Sequence, residues 1–89
     1  MDFLNFFSND YFKLLLILKQ HELKVNDERL ILLRQEDLGK MMSYSRQTIS
    51  KLLKELKNEE FIYEKGKNKL VITDKGQTAL NFLLDKASL

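Results

Sequence analysis

Residues 34–58, RQEDLGKMMSYSRQTISKLLKELKN, constrain the fold of this chain more than any other part of it. Leu and Met recur at helical spacing within residues 35–42, which predicts a short first helix. The run S-Y-S at residues 43–45 then interrupts the apolar pattern with side chains able to cap a following helix. The segment is therefore predicted to form two short helices joined by a tight turn.

The second of these helices has two chemically different faces. At about 100° per residue, apolar side chains fall within one arc and polar side chains within another. A DNA major groove admits an α-helix, and Arg, Gln, Ser and Lys are side chains that meet base edges there. We therefore expect helix 45–57 to pack with one face and to read DNA with the other. The apolar arc holds Ile49, Leu52, Leu53 and Leu56, and the polar arc holds Arg46, Gln47, Ser50, Lys51 and Lys54.

The segment QEDLGKMMSYSRQTISKLLKELKNEEFI resembles the helix-turn-helix of winged-helix transcription regulators. Its SRQTISKLLKEL core is similar to the recognition helix of the catabolite activator type. The following FIYEKGKNKLVITDKG resembles the wing hairpin of that group and of the MarR group, including an I-T-D-K-G opening of the last helix. The resemblance covers residues 30–84. It implies a mainly α fold with a small β-hairpin wing, the winged helix-turn-helix.

The same resemblance implies which residues contact DNA. In such families, base edges are contacted by the residues that correspond to Arg46, Gln47 and Lys51. The residue that corresponds to Ser45 begins the helix near a phosphate. Basic wing residues grip the DNA backbone. We expect the base-reading set to be Arg46, Gln47, Ser50 and Lys51, and the backbone set to be Ser45, Thr48, Lys54, Lys57, Lys65, Lys67 and Lys69.

Two positions depart from the family pattern. Gly39 stands where a small Ala is common inside the first helix, which costs about 1 kcal/mol of helix propensity but allows close helix approach. Tyr44 falls in the turn, at or just after the position where Gly is usual.

The distribution of charge agrees with a DNA-contacting role. Residues 1–39 carry five basic and seven acidic side chains, whereas residues 40–89 carry ten basic and six acidic ones. The basic half contains the proposed reading helix and the hairpin tip, which the fold places side by side. The alternative for any single Lys is an ordinary solvated side chain.

The remaining segments predict a single domain over residues 1–89. A first helix is expected from a cap at residues 8–10 to about residue 23, followed by a polar connection over residues 24–28. Residues 30–33 fit either a short strand that pairs with the wing or one more turn of helix. Hairpin strands are expected at residues 61–64 and 70–73, around a turn whose Gly66 and Asn68 tolerate positive φ. Thr73 or Asp74 would cap the last helix, residues 74–87.

The first helix is apolar over most of its surface, and an aromatic cluster precedes it. A small domain can cover only one side of such a helix, so a second copy of the chain is expected to cover the other. Residues 1–26 and the last helix are therefore expected to build a homodimer that binds an inverted DNA repeat. A lipid contact is the weaker alternative, because the polar face is thin and has few basic residues. The dimerisation residues would be Phe3, Phe6, Phe7, Leu15, Leu18, Leu80, Leu83 and Leu84.

Composition argues against other classes of protein. The chain has no Cys, and no apolar run approaches the length of a membrane span, so we expect a cytoplasmic protein. His21 fits a surface side chain near a helix end, and Glu59 and Glu60 fit the end of the reading helix rather than a catalytic pair. We expect no enzyme activity, metal or cofactor, and leave a small-molecule effector open.

The expected function is transcriptional repression. The alternatives are a plasmid or phage replication or partition factor, and a winged-helix protein-interaction module.

Overall fold

The computed structural model describes residues 10–87 of the chain. Within these residues, four helices and four short strands follow one another along the chain. They are α1 (Asp10–Gln20), β1 (Glu22–Val25), β2 (Glu28–Ile31), α2 (Gln35–Met42), α3 (Arg46–Asn58), β3 (Ile62–Gly66), β4 (Lys69–Ile72) and α4 (Asp74–Ala87). The strands form one antiparallel sheet in the order β1-β2-β4-β3. The predicted fold class, helices plus a small β-hairpin wing, is confirmed.

The segment between α1 and α2 is where sequence prediction was wrong. α1 ends at Gln20 rather than near residue 23, and residues 24–28 are not a simple connection, because β1 and β2 form a hairpin there. Its two-residue turn has positive φ at both Asn26 (51°) and Asp27 (67°), the geometry that matches the twist of the flanking strands. Of the two readings of residues 30–33, the strand is correct, and Ile31 pairs with Leu70 of the wing.

The core lies between α1, α3, α4 and one face of the sheet. The apolar arc of α3 is buried as predicted. α1 packs against α3 and α4, so most of its apolar surface is covered within one copy of the chain. Leu14, Leu15 and Leu18 are each 0% exposed.

This packing corrects part of the expected dimer surface. Leu15, Leu18 and Leu80 are all 0% exposed, so their side chains contact the core and cannot contact a second copy. The expectation underestimated how much of α1 is covered by other elements of the same chain, among them α3 and α4. Leu83 is half-buried and Leu84 is 39% exposed, so both side chains have surface that a second copy could contact. Phe3, Phe6 and Phe7 lie outside the described residues.

Candidate nucleic-acid interface

The turn between α2 and α3 is built from three residues with distinct roles. α2 ends at Met42, and Ser43 takes a left-handed conformation with φ 59° that stops the helix. The backbone N–H of Tyr44 donates to the carbonyl of Gly39 at 2.9 Å. Ser45 is extended, and its hydroxyl accepts the N–H of Thr48 at 3.2 Å, which caps α3. The left-handed residue of the turn is therefore Ser43, and Tyr44 follows it.

Gly39 allows this turn to fold back onto α2. A Cβ built on Gly39 would lie 2.9 Å from the carbonyl oxygen of Tyr44, closer than real Cβ atoms come. The close approach that Gly39 allows is therefore to the backbone of the turn, and not to the second helix as expected. Its nearest contact on α3, the Cγ1 of Ile49, would lie at an ordinary 3.9 Å.

Two tyrosine hydroxyls tie α1 to this motif. Tyr44 in the turn donates to the carboxylate of Asp10, the first residue of α1, and Tyr11 donates to Glu55 on α3. The hydrogen bond to Glu55, with burial, raises the pKa of Tyr11 to about 12, and the bond to Asp10 raises the pKa of Tyr44 from its ordinary value. Both hydroxyls remain protonated at neutral pH and hold the two helices in a fixed relation to α1.

The predicted reading face of α3 is open to solvent. The N-cap residue and the polar side chains of residues 46–54 are all exposed, so none of them is used in the core. Thr48 has its hydroxyl 3.0 Å from that of Ser45, which orients both side chains at the start of the helix. The exposed set consists of Ser45, Arg46, Gln47, Thr48, Ser50, Lys51 and Lys54.

The wing is the β3–β4 hairpin. Gly66 pairs with Lys69, so the turn is the two residues Lys67 and Asn68, and Asn68 has φ 59°. Of the two residues expected to tolerate positive φ in this turn, Asn68 adopts it and Gly66 does not, because Gly66 is the last residue of β3, after a register shift between Glu64 and Gly66. Lys67 and Lys69 are exposed at the tip.

Two of the five lysines expected on the DNA backbone are engaged within the protein. Lys57 Nζ lies 2.9 Å from Glu64 Oε1, which links the last turn of α3 to the wing. Lys65 forms an ion pair with Glu28 of β2. Within residues 10–87, Lys54, Lys67 and Lys69 form no ion pair and remain the cations of the set that are directly available to a phosphate.

A groove of about 540 Å³ lies between the start of α2, the start of α3 and the wing tip. It brings residues from three separate parts of the chain to one concave surface. Three of its side chains are cationic and one is acidic, so the groove favours a polyanion. Only Arg46 and Lys67 of its residues were predicted to contact DNA. The lining consists of Arg34, Gln35, Glu36, Arg46, Lys67 and Asn68.

Sequence analysis missed the contribution of α2 to this groove. Arg34 is the residue before α2. A basic side chain at the start of the first helix of such a motif could have predicted a contact with DNA. The backbone N–H of Arg34 donates to Asp37 Oδ2 at 3.1 Å, which satisfies a donor at the start of α2.

The other candidate sites have ordinary structural roles. His21 directly follows α1, is exposed, and has its Nδ1 2.9 Å from the carbonyl of Ile17. Glu59 is the C-cap of α3, and Glu60, with φ 62°, lies in the turn that follows it. Within residues 10–87, no three or more His, Cys, Asp and Glu side chains come together in a way suited to a metal ion. None of the helices in that range is long and apolar enough to cross a membrane.

Two helices joined by a three-residue turn, followed by a hairpin whose tip stands beside the second helix, define the winged helix-turn-helix class. Comparison with protein-family models matches residues 12–77 to the Crp-like helix-turn-helix domain. The chain belongs to this family, and it is therefore a DNA-binding regulator domain. No curated protein and no solved structure matches the chain.

Proposed function

We propose that this protein is a sequence-specific double-stranded DNA-binding repressor that inserts α3 in the major groove and lays its wing on the backbone. The observation that carries the proposal is the shared groove of Arg46 and Lys67. A base-reading candidate and a backbone-contacting candidate line one concave surface, so a single duplex could contact both. The DNA-bound protein would occupy promoter sequence and exclude polymerase, and it would act in the cytoplasm.

The spacing on α3 suits base reading. Arg46 and Ser50 are four residues apart, as are Gln47 and Lys51, so the four side chains form two neighbouring rows on the exposed face. Arg can bond bidentately to guanine and Gln to adenine, while Ser and Lys can meet other base edges. These four residues are proposed to set sequence preference.

The backbone contacts would come from the helix start and the wing. Ser45 and Thr48 present hydroxyls at the N-terminus of α3, where the helix dipole favours a phosphate. Lys54, Lys67 and Lys69 add charges that form no ion pair with the described residues. Lys57 and Lys65 add two more if a phosphate displaces Glu64 and Glu28. For a dimer, the log-log slope of affinity against salt would then lie between roughly −5 and roughly −9.

A homodimer fits an inverted repeat whose half-sites lie about 34 Å apart, one turn of DNA. The surface proposed for dimerisation is reduced to the outer side of α4, with Leu83 and Leu84, together with Phe3, Phe6 and Phe7. One copy alone would make half of the base and phosphate contacts and would bind more weakly.

Selection from a random-sequence duplex library by the purified protein at moderate salt tests the proposal. Recovery of an inverted repeat with half-site centres about 10 to 11 base pairs apart would support a sequence-reading dimer. Recovery of no motif, with binding that disappears at higher salt, would overturn sequence-specific reading and favour the protein-interaction alternative.

A further inference from the structure

The groove between α2, α3 and the wing tip contains one carboxylate among its cations, that of Glu36. Arg34 Nη1 lies 3.3 Å from Glu36 Oε1. A carboxylate at this position repels a phosphate, and the guanidinium beside it neutralises that repulsion. The two side chains therefore cancel each other where the proposed DNA strand would pass.

The local backbone explains why Glu36 is available to Arg34. Asp37, the next acidic residue, accepts the backbone N–H of Arg34 and is committed to starting α2. Glu36 accepts no backbone N–H within residues 10–87, and its side chain is 57% exposed while that of Arg34 is 68% exposed. An ion pair this open to solvent is weak, so it can reduce a phosphate contact of Arg34 by only a few-fold.

We propose that Glu36 competes with the DNA backbone for Arg34 and so limits the affinity of this domain for DNA of any sequence. This inference rests on the proposed function, and its ligand is a backbone phosphodiester of the duplex that α3 reads. Among the three cations of the groove, Arg46 and Lys67 contact DNA, whereas Arg34 is engaged by Glu36. A lower nonspecific affinity leaves more of the protein free to find its specific site.

The inference predicts a particular pattern of salt dependence. Each phosphate contact adds about 0.9 to the magnitude of the log-log slope. Glu36→Gln releases Arg34, so binding to a nonspecific duplex should tighten about 3- to 10-fold at low salt, and the slope should steepen by about 0.9 per bound copy. Arg34→Ala should change the slope little in the wild-type background and remove the added ~0.9 in the Glu36→Gln background.

The experiment is a nonspecific-duplex titration over a series of salt concentrations with wild-type protein, E36Q, R34A and the double variant. D27N serves as the matched control, because Asp27 is an exposed carboxylate in the β1–β2 turn and does not line the groove. Its slope should equal that of the wild type. Circular dichroism of all variants verifies that the fold is retained.

Two results would overturn the inference. If R34A lowers the slope equally in both backgrounds, Arg34 contacts phosphate in spite of Glu36. If R34A changes the slope in neither background, Arg34 does not face the DNA. Lys67→Ala separates these failures from that of the proposed function. If K67A lowers the slope, DNA contacts the groove and only the role of Glu36 is wrong. If K67A leaves the slope unchanged, the proposed docking of DNA at the groove is wrong as well.

Discussion

The backbone of Gly76 in α4 lies directly against the carbonyl of Phe61, the residue before the wing. A Cβ built on Gly76 would lie 2.1 Å from that oxygen and 3.0 Å from its carbon. Thr73 reinforces the contact, since its N–H donates to the same carbonyl at 3.0 Å and its hydroxyl to the carbonyl of Glu60 at 2.6 Å. The Thr73 hydroxyl also accepts the N–H of Gly76 at 3.0 Å. These contacts fix the start of α4 against residues 60–61, between α3 and β3.

Gly76→Ala should destabilise the fold by about 2 to 4 kcal/mol, because a methyl group cannot fit against a fixed backbone carbonyl. Urea denaturation followed by circular dichroism measures the change. Gly66→Ala is the matched control, since its Cβ would meet only Lys69 Cδ at an ordinary 3.7 Å and its φ is not positive. Equal stability of the two variants would show that the Gly76 contact can relax.

Arg46→Ala should cost about 1 to 3 kcal/mol of affinity for the selected site and relax preference at one base pair. Lys67→Ala should instead weaken binding to all sequences alike and lower the salt slope by about one per subunit. Titrations of specific and scrambled duplexes at several salt concentrations distinguish the two effects. An equal loss on every sequence for R46A would contradict its base-reading role.

Glu60→Gly should stabilise the protein by about 0.5 to 1 kcal/mol. Glu60 has φ 62°, and the N–H groups of Glu60 and Phe61 donate back to Lys57 and Leu56, both at 3.0 Å. Glycine at this helix end adopts the left-handed conformation without the cost that a side chain imposes.

Chemical denaturation tests the effect of Glu60→Gly, with Glu59→Gly as its control. Glu59 has φ −83°, so glycine there relieves no strain and should be neutral or destabilising. Stabilisation by both substitutions would indicate a charge effect instead of a conformational one.

Stability should fall as pH rises from 10 towards 12. The folded-state pKa of Tyr11 is raised to about 12 by its hydrogen bond to Glu55, whereas the unfolded value is 10.0. The neutral hydroxyl is favoured by folding, so this contribution is complete below pH 10 and is lost through the folded pKa. Ultraviolet titration of tyrosinate should show one group ionising near pH 12 that is absent from Tyr11→Phe. The remaining tyrosines should titrate identically in both proteins, which is the internal control. If Y11F still shows a group that ionises near pH 12, the assignment to Tyr11 is wrong.

Leu84→Ala should weaken dimerisation with little effect on folding, because Leu84 is 39% exposed on α4. Leu80→Ala should cost about 2 to 5 kcal/mol of folding stability, because Leu80 is 0% exposed in the core. Sedimentation equilibrium and thermal unfolding of both variants separate the two roles. Unchanged association of L84A, in a protein whose wild type dimerises, would exclude this side of α4 from the interface.

The helix-turn-helix could be predicted closely because its signals are local. The bounds of α2 were predicted to the residue, and Ser45 was among the residues expected to cap α3. Helical periodicity and capping depend on residues within about four positions of each other, and these are adjacent in the sequence. The β1–β2 hairpin had a local signal too, in Asn26 and Asp27, but its strands are short and largely exposed.

The candidate site was predictable in its parts and not in its assembly. Sequence pattern alone identified the exposed polar face of α3 and the basic tip of the wing. Only the tertiary structure decided that Arg34 lies in a groove with Lys67, that Glu64 engages Lys57, and that α1 is covered within one copy of the chain. The physical reason is the distance along the chain over which each interaction acts. Periodicity and caps act between neighbours along the chain, whereas burial and charge pairing depend on side chains that only folding brings together.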